Sequence, residues 1–313
     1  MESRSSLKIG SKRSVSYAKW AYLFILPFFI FYFIFQLYPQ LLTLYNSFFE
    51  NYRDGLTQIG PNFVGLKNYV ELFKLNNAGY IPIFKYLWNT VWIWFIGALP
   101  QFVIALILAL FFTSTRLNLK GQQFFKSVIY MPNLIMASAF SMLFFTVFSQ
   151  VGPVNQLLIA SGKIDEAINF LGVKVGVRSL IALMNFLMWF GNTTILLMAG
   201  IQNIDESLFE AARLDGSNTF QVLKNVTIPT LMPIIIYTFI NSMLGGIKMF
   251  DVPQVLTNGI GTPDNTSTTL IMYLNNYLKV SKNYGMAGAV SVLLFIISGA
   301  LSLIVYKNLT KEK

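Results

Sequence analysis

Two short clusters of polar and aromatic residues interrupt the long apolar stretches of this sequence, and their spacing is suited to ligand binding. The first contains Asn185, Trp189 and Asn192, which fall on one face of a helix. An amide in lipid is costly unless it faces protein or water. Amide groups beside an aromatic plane are also the kind of lining that binds a sugar. This face is therefore a candidate wall of a path through a membrane.

The second cluster lies in the next apolar stretch and combines small and polar residues. Ser242, Gly245, Gly246 and Met249 share one helical face, and Asn241 lies beside them. Small residues and amides are also used where membrane helices pack together. Two interpretations, a solute pathway and interhelical packing, are therefore open for both clusters.

The apolar stretches lack residues for acid–base, nucleophilic or metal chemistry. The chain has no His and no Cys, and the six windows given below contain no Asp or Glu. A hydrolase site, a metal site and a proton relay are therefore not expected. The chain also lacks GxxxxGK[ST], the loop that cradles nucleotide phosphates. We predict neither an enzyme nor a bound cofactor, and expect any ATP hydrolysis to occur on another chain.

The composition is that of a membrane protein. Of 313 residues, 55% are hydrophobic and only 12% are charged, which is too apolar for an ordinary soluble domain. The net charge of +10 does not indicate nucleic-acid binding, because the basic residues are scattered between apolar segments. A spanning helix needs about 20 apolar residues. Six windows free of Asp, Glu, Lys and Arg are long enough: Trp20–Phe49, Tyr86–Thr115, Ser127–Gly162, Ser179–Ile204, Asn225–Ile247 and Asn283–Tyr306.

The distribution of Lys and Arg predicts the orientation of these windows. The tail at 1–19, the second and fourth connections and the tail at 307–313 carry more basic residues, over a shorter length, than the other three connections. By the positive-inside rule, both termini are predicted to be cytoplasmic. The predicted fold is an all-α membrane protein with six transmembrane helices in 20–306 and an outer loop at 248–282.

The loop at 202–230, between the fourth and fifth windows, is unusually acidic. Its sequence DESLFEAARLDGSNTF has the wrong charge for a helix that lies on an anionic inner leaflet. Asp205 or Ser207 can cap a helix, Ser207 and Glu210 have capping-box spacing, and Gly216 can end the helix in the left-handed conformation. A second short helix is predicted from Ser217 towards Val226. From pattern alone, a solvated amphipathic helix without a partner fits equally well.

This loop also carries a recognisable signature. Three features of this loop resemble the "EAA" signature of binding-protein-dependent ABC importer permeases: Glu210-Ala211-Ala212, Gly216 after three intervening residues, and the run Val226 to Pro229. The usual ending is Ile-x-Leu-Pro, so Val226 and Ile228 are conservative departures. The stretches LPFFIFYFIFQLYPQLLTLYNSFF, FVGLKNYVELF and LTNGIGTP are similar to carbohydrate-type permeases of the maltose, lactose and glycerol-phosphate kind, and their order resembles the first of that family's two permeases.

The resemblance implies partners and a place in the cell. A second permease subunit, two ATPase subunits and an extracytoplasmic solute-binding protein would complete the complex, in the plasma membrane of a bacterium or archaeon. The solute would be a sugar or oligosaccharide, and Lys248 also leaves room for an acidic or phosphorylated solute. No nucleic acid is implied. The binding protein would dock on the loop at Asn258–Leu270.

The resemblance also assigns roles to individual residues. The loop at 202–230 would form a coupling helix seated in a cleft of an ATPase subunit, through Glu210, Ala211, Ala212, Asp215 and Gly216. Solute would be contacted at positions that match Trp189, Asn192, Ser242, Gly245, Gly246 and Met249, with Asn185 on the same face as the first two.

Two other functions fit the absence of intramembrane acids. A sodium-coupled secondary carrier can bind its ions through hydroxyl and carbonyl groups, and it is the alternative transporter. A purely structural membrane protein is the alternative outside transport.

Overall fold

The structure is a computed structural model that describes residues 18–114 and 120–310, and most of these residues are helical. Most of the tail predicted at 1–19 and the last three residues of the tail predicted at 307–313 lie outside the described residues. The elements are α1 (Ala18–Tyr32), α2 (Tyr38–Asn46), β1 (Phe49–Asp54), β2 (Thr57–Phe63), α3 (Lys67–Leu72), α4 (Pro82–Thr113), α5 (Gln122–Leu134), α6 (Ala137–Val147), α7 (Pro153–Ala160), α8 (Lys174–Gln202), α9 (Glu206–Leu214), α10 (Thr219–Val222), α11 (Ile228–Ile247), α12 (Asp251–Leu256), α13 (Leu270–Lys279) and α14 (Tyr284–Thr310).

Within the described ranges, five helical segments are long and apolar enough to cross a membrane, and one bent helix pair gives a sixth. The prediction of an all-α membrane protein is therefore confirmed, whereas the orientation of its termini stays a prediction. The five segments overlap five of the predicted windows: Lys19–Asn46, Pro82–Thr113, Lys174–Gln202, Thr219–Leu256 and Tyr284–Thr310.

The third predicted span is not a single helix. The window Ser127–Gly162 contains most of α5, all of α6 and all of α7, and α5 and α6 meet at an angle of 90°. The prediction of one continuous helix there is wrong, because apolar composition is the same on both sides of a bend. The end of α5 is fixed on α8, where the Asn133 side-chain amide donates to the Met188 carbonyl oxygen at 3.0 Å.

Two proline residues create wide turns inside the first and fifth spans. A π-helical turn at Phe33–Leu37 joins α1 to α2, and another at Leu223–Thr227 joins α10 to α11. Pro39 and Pro229 are each the second residue after such a turn. Proline has no N–H to donate and crowds the preceding turn, and a π-turn is a common place for a helix to absorb such a disruption. Both spans therefore continue through their prolines.

The centre of the fold is the close packing of α4 against α8. Gly97 on α4 allows this approach, because a Cβ at that position would lie 2.7 Å from the Ala182 carbonyl oxygen of α8. Ile93, Ile181 and Met184 are fully buried in this contact. These two helices, with α11 beside them, fix the walls of the cavity described below.

The connection between the first two spans contains a β-hairpin that the sequence analysis does not predict. β1 and β2 pair antiparallel around a two-residue turn at Gly55-Leu56, where Gly55 has φ +59°. Glycine is favoured at the first position of such a hairpin turn, because it takes a positive φ without steric cost. The signal was therefore present in the sequence.

Candidate functional site

A cavity of about 280 Å³ lies between α4, α8, α11 and the segment 248–252. The structure brings the two predicted clusters together on its wall, although they come from different helices. Seven residues that were predicted to line a pathway lie on the wall of this cavity: Asn185, Trp189, Asn192, Ser242, Gly245, Gly246 and Met249. Their role in transport stays a prediction.

Some of these side chains are already bonded to neighbouring helices. The Trp94 Nε1 donates to the Ser242 Oγ at 3.2 Å, which joins α4 to α11. The Asn185 amide donates to the Ile181 carbonyl oxygen at 2.8 Å and lies 3.4 Å from the Met249 Sδ. Ser242 and Asn185 therefore hold the wall together, as the packing interpretation expects.

Other side chains on the wall keep their polar groups available. Trp189 is 47% exposed. Among the described residues, neither its indole N–H nor the amides of Asn192 and Asn241 make a side-chain hydrogen bond. The result is an aromatic plane with two uncommitted amides around the same space. Such groups can stack on a ring and bond to hydroxyls of a bound molecule.

The two neighbouring glycines of α11 differ in their surroundings. A Cβ at Gly245 would meet no atom within 4 Å, so this glycine widens the cavity. A Cβ at Gly246 would collide with the Trp94 ring. Gly246 therefore serves the packing of α4 on α11, and only Gly245 borders open space.

The sequence analysis missed the contribution of α4 to this cavity. Gln101 lies on its wall and is 6% exposed, and its amide donates to the Thr193 Oγ1 at 2.8 Å. Gln101 is an amide inside an apolar window, so the criterion used for Asn185 and Asn192 also applied to it. Lys248 and Asp251 bring one charge of each sign to the wall, and Asp251 was missed because it lies beyond the windows.

The loop at 202–230 folds as the predicted helix, turn and short helix. Asp205 is the N-cap of α9 and accepts a hydrogen bond from the Ser207 backbone N–H at 3.0 Å, which lowers the pKa of its carboxyl group. The expected capping box between Ser207 and Glu210 is not the one that forms. A capping box instead joins Asn218 to Gln221 at the start of α10.

The turn between α9 and α10 is a Schellman motif. Gly216 has φ +73°, its N–H donates to the Arg213 carbonyl oxygen, and the Ser217 N–H donates to the Ala212 carbonyl oxygen, both at 3.0 Å. The left-handed conformation predicted for Gly216 is present. These two backbone bonds fix the conformation of the chain where α9 ends.

The predicted coupling residues do not all face outward. Glu210, Ala211, Asp215 and Gly216 are exposed, whereas Ala212 is 8% exposed and faces the protein's own interior. Ala212 thus packs against this chain itself, and its role in coupling stays a prediction. The exposed apolar residues of the same loop were missed by the sequence analysis, and they are Leu208, Leu214 and Phe220.

The described residues contain no group of three or more His, Cys, Asp or Glu side chains that could hold a metal ion. The two described ion pairs join Lys67 to Glu50 and Lys74 to Glu71, and both lie in or beside α3, away from the cavity.

Residues 78–312 match the family described as the binding-protein-dependent transport system inner membrane component. The chain is 33% identical to the lactose transport system permease protein LacF of Rhizobium radiobacter, over 99% of both chains. It is 29% identical to the arabinooligosaccharides transport system permease protein AraP of Bacillus subtilis, over 97% of this chain and 93% of that one. Its fold matches a chain in the crystal structure of a bacterial ABC transporter involved in the import of the acidic polysaccharide alginate, with a TM-score of 0.77, 20% identity and coverage of 94% of this chain and 96% of that chain.

Proposed function

Since the chain belongs to the family of binding-protein-dependent transport system inner membrane components, we propose that it forms, with a second permease subunit, the pathway by which a sugar or oligosaccharide crosses the inner membrane. The chain is a multi-pass permease of an ABC importer. The observation that carries the proposal is the cavity between α4, α8 and α11, which combines an aromatic plane with uncommitted amides. The comparisons give no support to a sodium-coupled carrier.

The solute class follows from the relatives and from the cavity wall. The relatives are named for lactose and arabinooligosaccharides. Trp189 supplies a stacking surface, and Asn192 and Asn241 supply donors and acceptors for hydroxyl groups. Lys248 and Asp251 carry opposite charges, so the wall has no net charge to attract an acidic solute. A neutral saccharide therefore suits this cavity better than an acidic one.

The energy would come from ATPase subunits that contact the loop at 202–230. Glu210, Ala211 and Asp215 are exposed on this loop, next to exposed apolar side chains such as Leu214. A charged and apolar surface of this kind suits docking in a cleft of another subunit. The Schellman turn fixes the direction of the chain at the end of α9, and α10 continues into α11 through the π-turn. Movement of α9 would therefore be passed to a helix that lines the cavity.

The proposal also fixes which side each loop faces. With both termini cytoplasmic, α9 lies in the cytoplasm and the loop at 248–282 lies outside. A solute-binding protein would deliver its solute on that outer side, where Ile260, Asp264 and Asn265 are exposed.

Uptake into proteoliposomes tests this proposal. The complex of this chain, its second permease and two ATPase subunits would be supplied with binding protein outside and ATP inside. We expect ATP-dependent uptake of a neutral oligosaccharide and much weaker uptake of an acidic oligosaccharide of the same length. Uptake that does not depend on ATP and is lost when sodium is removed would contradict the assignment as an ABC importer. Faster uptake of the acidic oligosaccharide than of the neutral one would contradict the proposed solute class.

A further inference from the structure

A buried cation lies near the outer end of α8 without a carboxylate partner. Arg178 is 9% exposed, and neither of the two ion pairs found in the described ranges includes it. A guanidinium removed from water is costly unless its N–H groups are hydrogen-bonded. In a membrane protein, a buried ionisable residue is a candidate functional residue. The groups that accept its hydrogen bonds therefore indicate what it does.

Arg178 and Asn89 together bind the backbone of one outer segment, residues 261–270. The Arg178 Nε donates to the Thr266 carbonyl oxygen at 2.8 Å, and its Nη2 donates to the Asn89 Oδ1. The Asn89 amide in turn donates to the carbonyl oxygens of Asn265 at 2.9 Å and Thr268 at 3.2 Å. Asn89 is 2% exposed. We name Arg178 and Asn89 the outer clamp, because they tie the outer segment to α8 and α4.

The clamp needs the shape of arginine. Its planar fork donates in two directions that are fixed relative to each other, whereas the ammonium group of lysine is a point charge on a flexible stem. The bonds are directed to a carbonyl and an amide oxygen rather than to a carboxylate. The hydrogen bonds of Arg178 therefore fix the backbone position of the outer segment, and they do not pair the guanidinium charge with a carboxylate.

The outer segment continues into the wall of the cavity. The Leu270 N–H donates to the Thr90 Oγ1 at 3.0 Å, which adds a second attachment to α4. The Thr269 Oγ1 donates to the Met249 carbonyl oxygen at 2.8 Å. Met249 lines the cavity, and its Sδ lies 3.4 Å from the Asn185 amide on α8. A continuous set of contacts thus runs from the clamp, through Thr269, to the cavity wall.

We propose that Arg178 is a positioning residue for transport: through the outer clamp and Thr269 it holds Met249, and so sets the outer rim of the solute cavity. This inference rests on the proposed role of the cavity as the solute path. If another protein contacts the exposed residues Ile260, Asp264 and Asn265 and moves the outer segment, the movement would be transmitted to the cavity wall. The loop at Asn258–Leu270 is thus more than an exposed docking loop, since its last four residues, from Ser267, are buried.

The reactivity of a single thiol introduced into the cavity measures how well this rim restricts access. The chain contains no Cys, and Gly245 has open space around its position for a Cβ. Gly245→Cys therefore places one thiol of this chain on the wall. In the assembled complex, the rate of its reaction with a small charged methanethiosulfonate reagent measures access to the cavity. We expect Arg178→Met to raise this rate about fivefold or more, in the range of typical coupling between sites.

A second variant keeps the test decisive if loss of Arg178 prevents assembly. Thr269→Val keeps the clamp but removes the bond to Met249, together with the N-cap bond that the Thr269 Oγ1 accepts from the Met272 N–H at the start of α13. We expect it to raise the rate at least as much as Arg178→Met. The matched control is Thr194→Val, because Thr194 is also fully buried and its Oγ1 bonds only within α8, to the Phe190 carbonyl oxygen at 2.8 Å. This control should leave the rate unchanged. In the double variant, the increases in reaction rate caused by Arg178→Met and Thr269→Val should not be additive, because both substitutions interrupt the same set of contacts between the clamp and Met249.

Two results would overturn the inference. One is a rate in both Arg178→Met and Thr269→Val that stays within about twofold of the parent, below the usual size of coupling. The other is an equal rise in Thr194→Val, which would show general loosening. Failure of the proposed function is a separate result: it would be seen as undiminished uptake by complexes whose thiol at position 245 has fully reacted.

Discussion

At the scale of single residues, the structure separates two tryptophans that border the same cavity. Trp189 is 47% exposed and its indole N–H is uncommitted among the described residues. Trp94 donates to Ser242 and packs over Gly246, so it joins α4 to α11. Trp189 is therefore available for the proposed solute contact, whereas Trp94 packs two helices together.

This difference predicts opposite outcomes for the two alanine variants. We expect Trp189→Ala to lower uptake at subsaturating solute about tenfold, which corresponds to the loss of about 1.4 kcal/mol of stacking contact, with little change in melting temperature. Trp94→Ala should destabilise the complex instead, because it removes a half-buried indole that packs α4 on α11. The cost should approach the range of about 3–5 kcal/mol that is typical of Trp→Ala at fully buried sites. Uptake per assembled complex and melting temperature would be measured for both. A large loss of stability in Trp189→Ala with normal uptake would assign Trp189 to packing.

The residue types on the cavity wall could be predicted from the sequence, but their individual roles could not. Helical spacing placed Asn185 and Asn192 on one face, and both lie on the wall. Spacing cannot show that the Asn185 amide is used by Ile181 and Met249, or that Ala212 faces inward. Those facts depend on which helix lies opposite, and no local pattern contains that information.

At the scale of elements, the turn between α9 and α10 is where the proposed coupling would depend on one backbone conformation. Gly216 has φ +73°, and a Cβ there would meet no atom within 4 Å. A side chain would therefore cause backbone strain without any collision. A substitution at Gly216 therefore tests the backbone conformation of the turn without changing side-chain packing.

We expect Gly216→Val to weaken coupling, because a β-branched residue in the left-handed conformation costs about 1 kcal/mol or more. Solute-stimulated ATPase activity and transport should fall together, while the spans stay folded. Gly216→Asn is the matched control, since asparagine tolerates this conformation, and it should remain close to the parent. Normal transport by Gly216→Val would count against a coupling role for α9.

Helices were predicted better than the interruptions within them. The apolar windows locate five spans well, because length and hydrophobicity determine a spanning helix. The bend between α5 and α6 and the two π-turns were not predicted, since neither a bend nor a π-turn has a composition that distinguishes it from a straight helix. The hairpin around Gly55-Leu56 had a local turn signal, the glycine, and could have been predicted.

At the scale of the whole molecule, the proposed function requires partner subunits. It lacks a nucleotide-binding loop, and the permease family works with a binding protein. We expect the purified chain alone to show neither ATP hydrolysis nor uptake in proteoliposomes, and both activities to require the second permease and the ATPase subunits. Robust sodium-dependent uptake by the chain alone would contradict this assignment.

The central claim is that solute passes through the cavity between α4, α8 and α11, and one measurement tests it directly. Uptake would be recorded in complexes carrying Gly245→Cys before and after reaction with a bulky, charged thiol reagent. The parent chain, which has no Cys, controls for reaction elsewhere in the complex. Gly299→Cys on α14 is the matched control, because Gly299 also has no atom within 4 Å of a Cβ but lies outside the cavity. We predict that reaction at position 245 abolishes uptake, whereas reagent treatment of the Gly299→Cys complex leaves it unchanged; full uptake with the thiol at position 245 completely modified would contradict the claim.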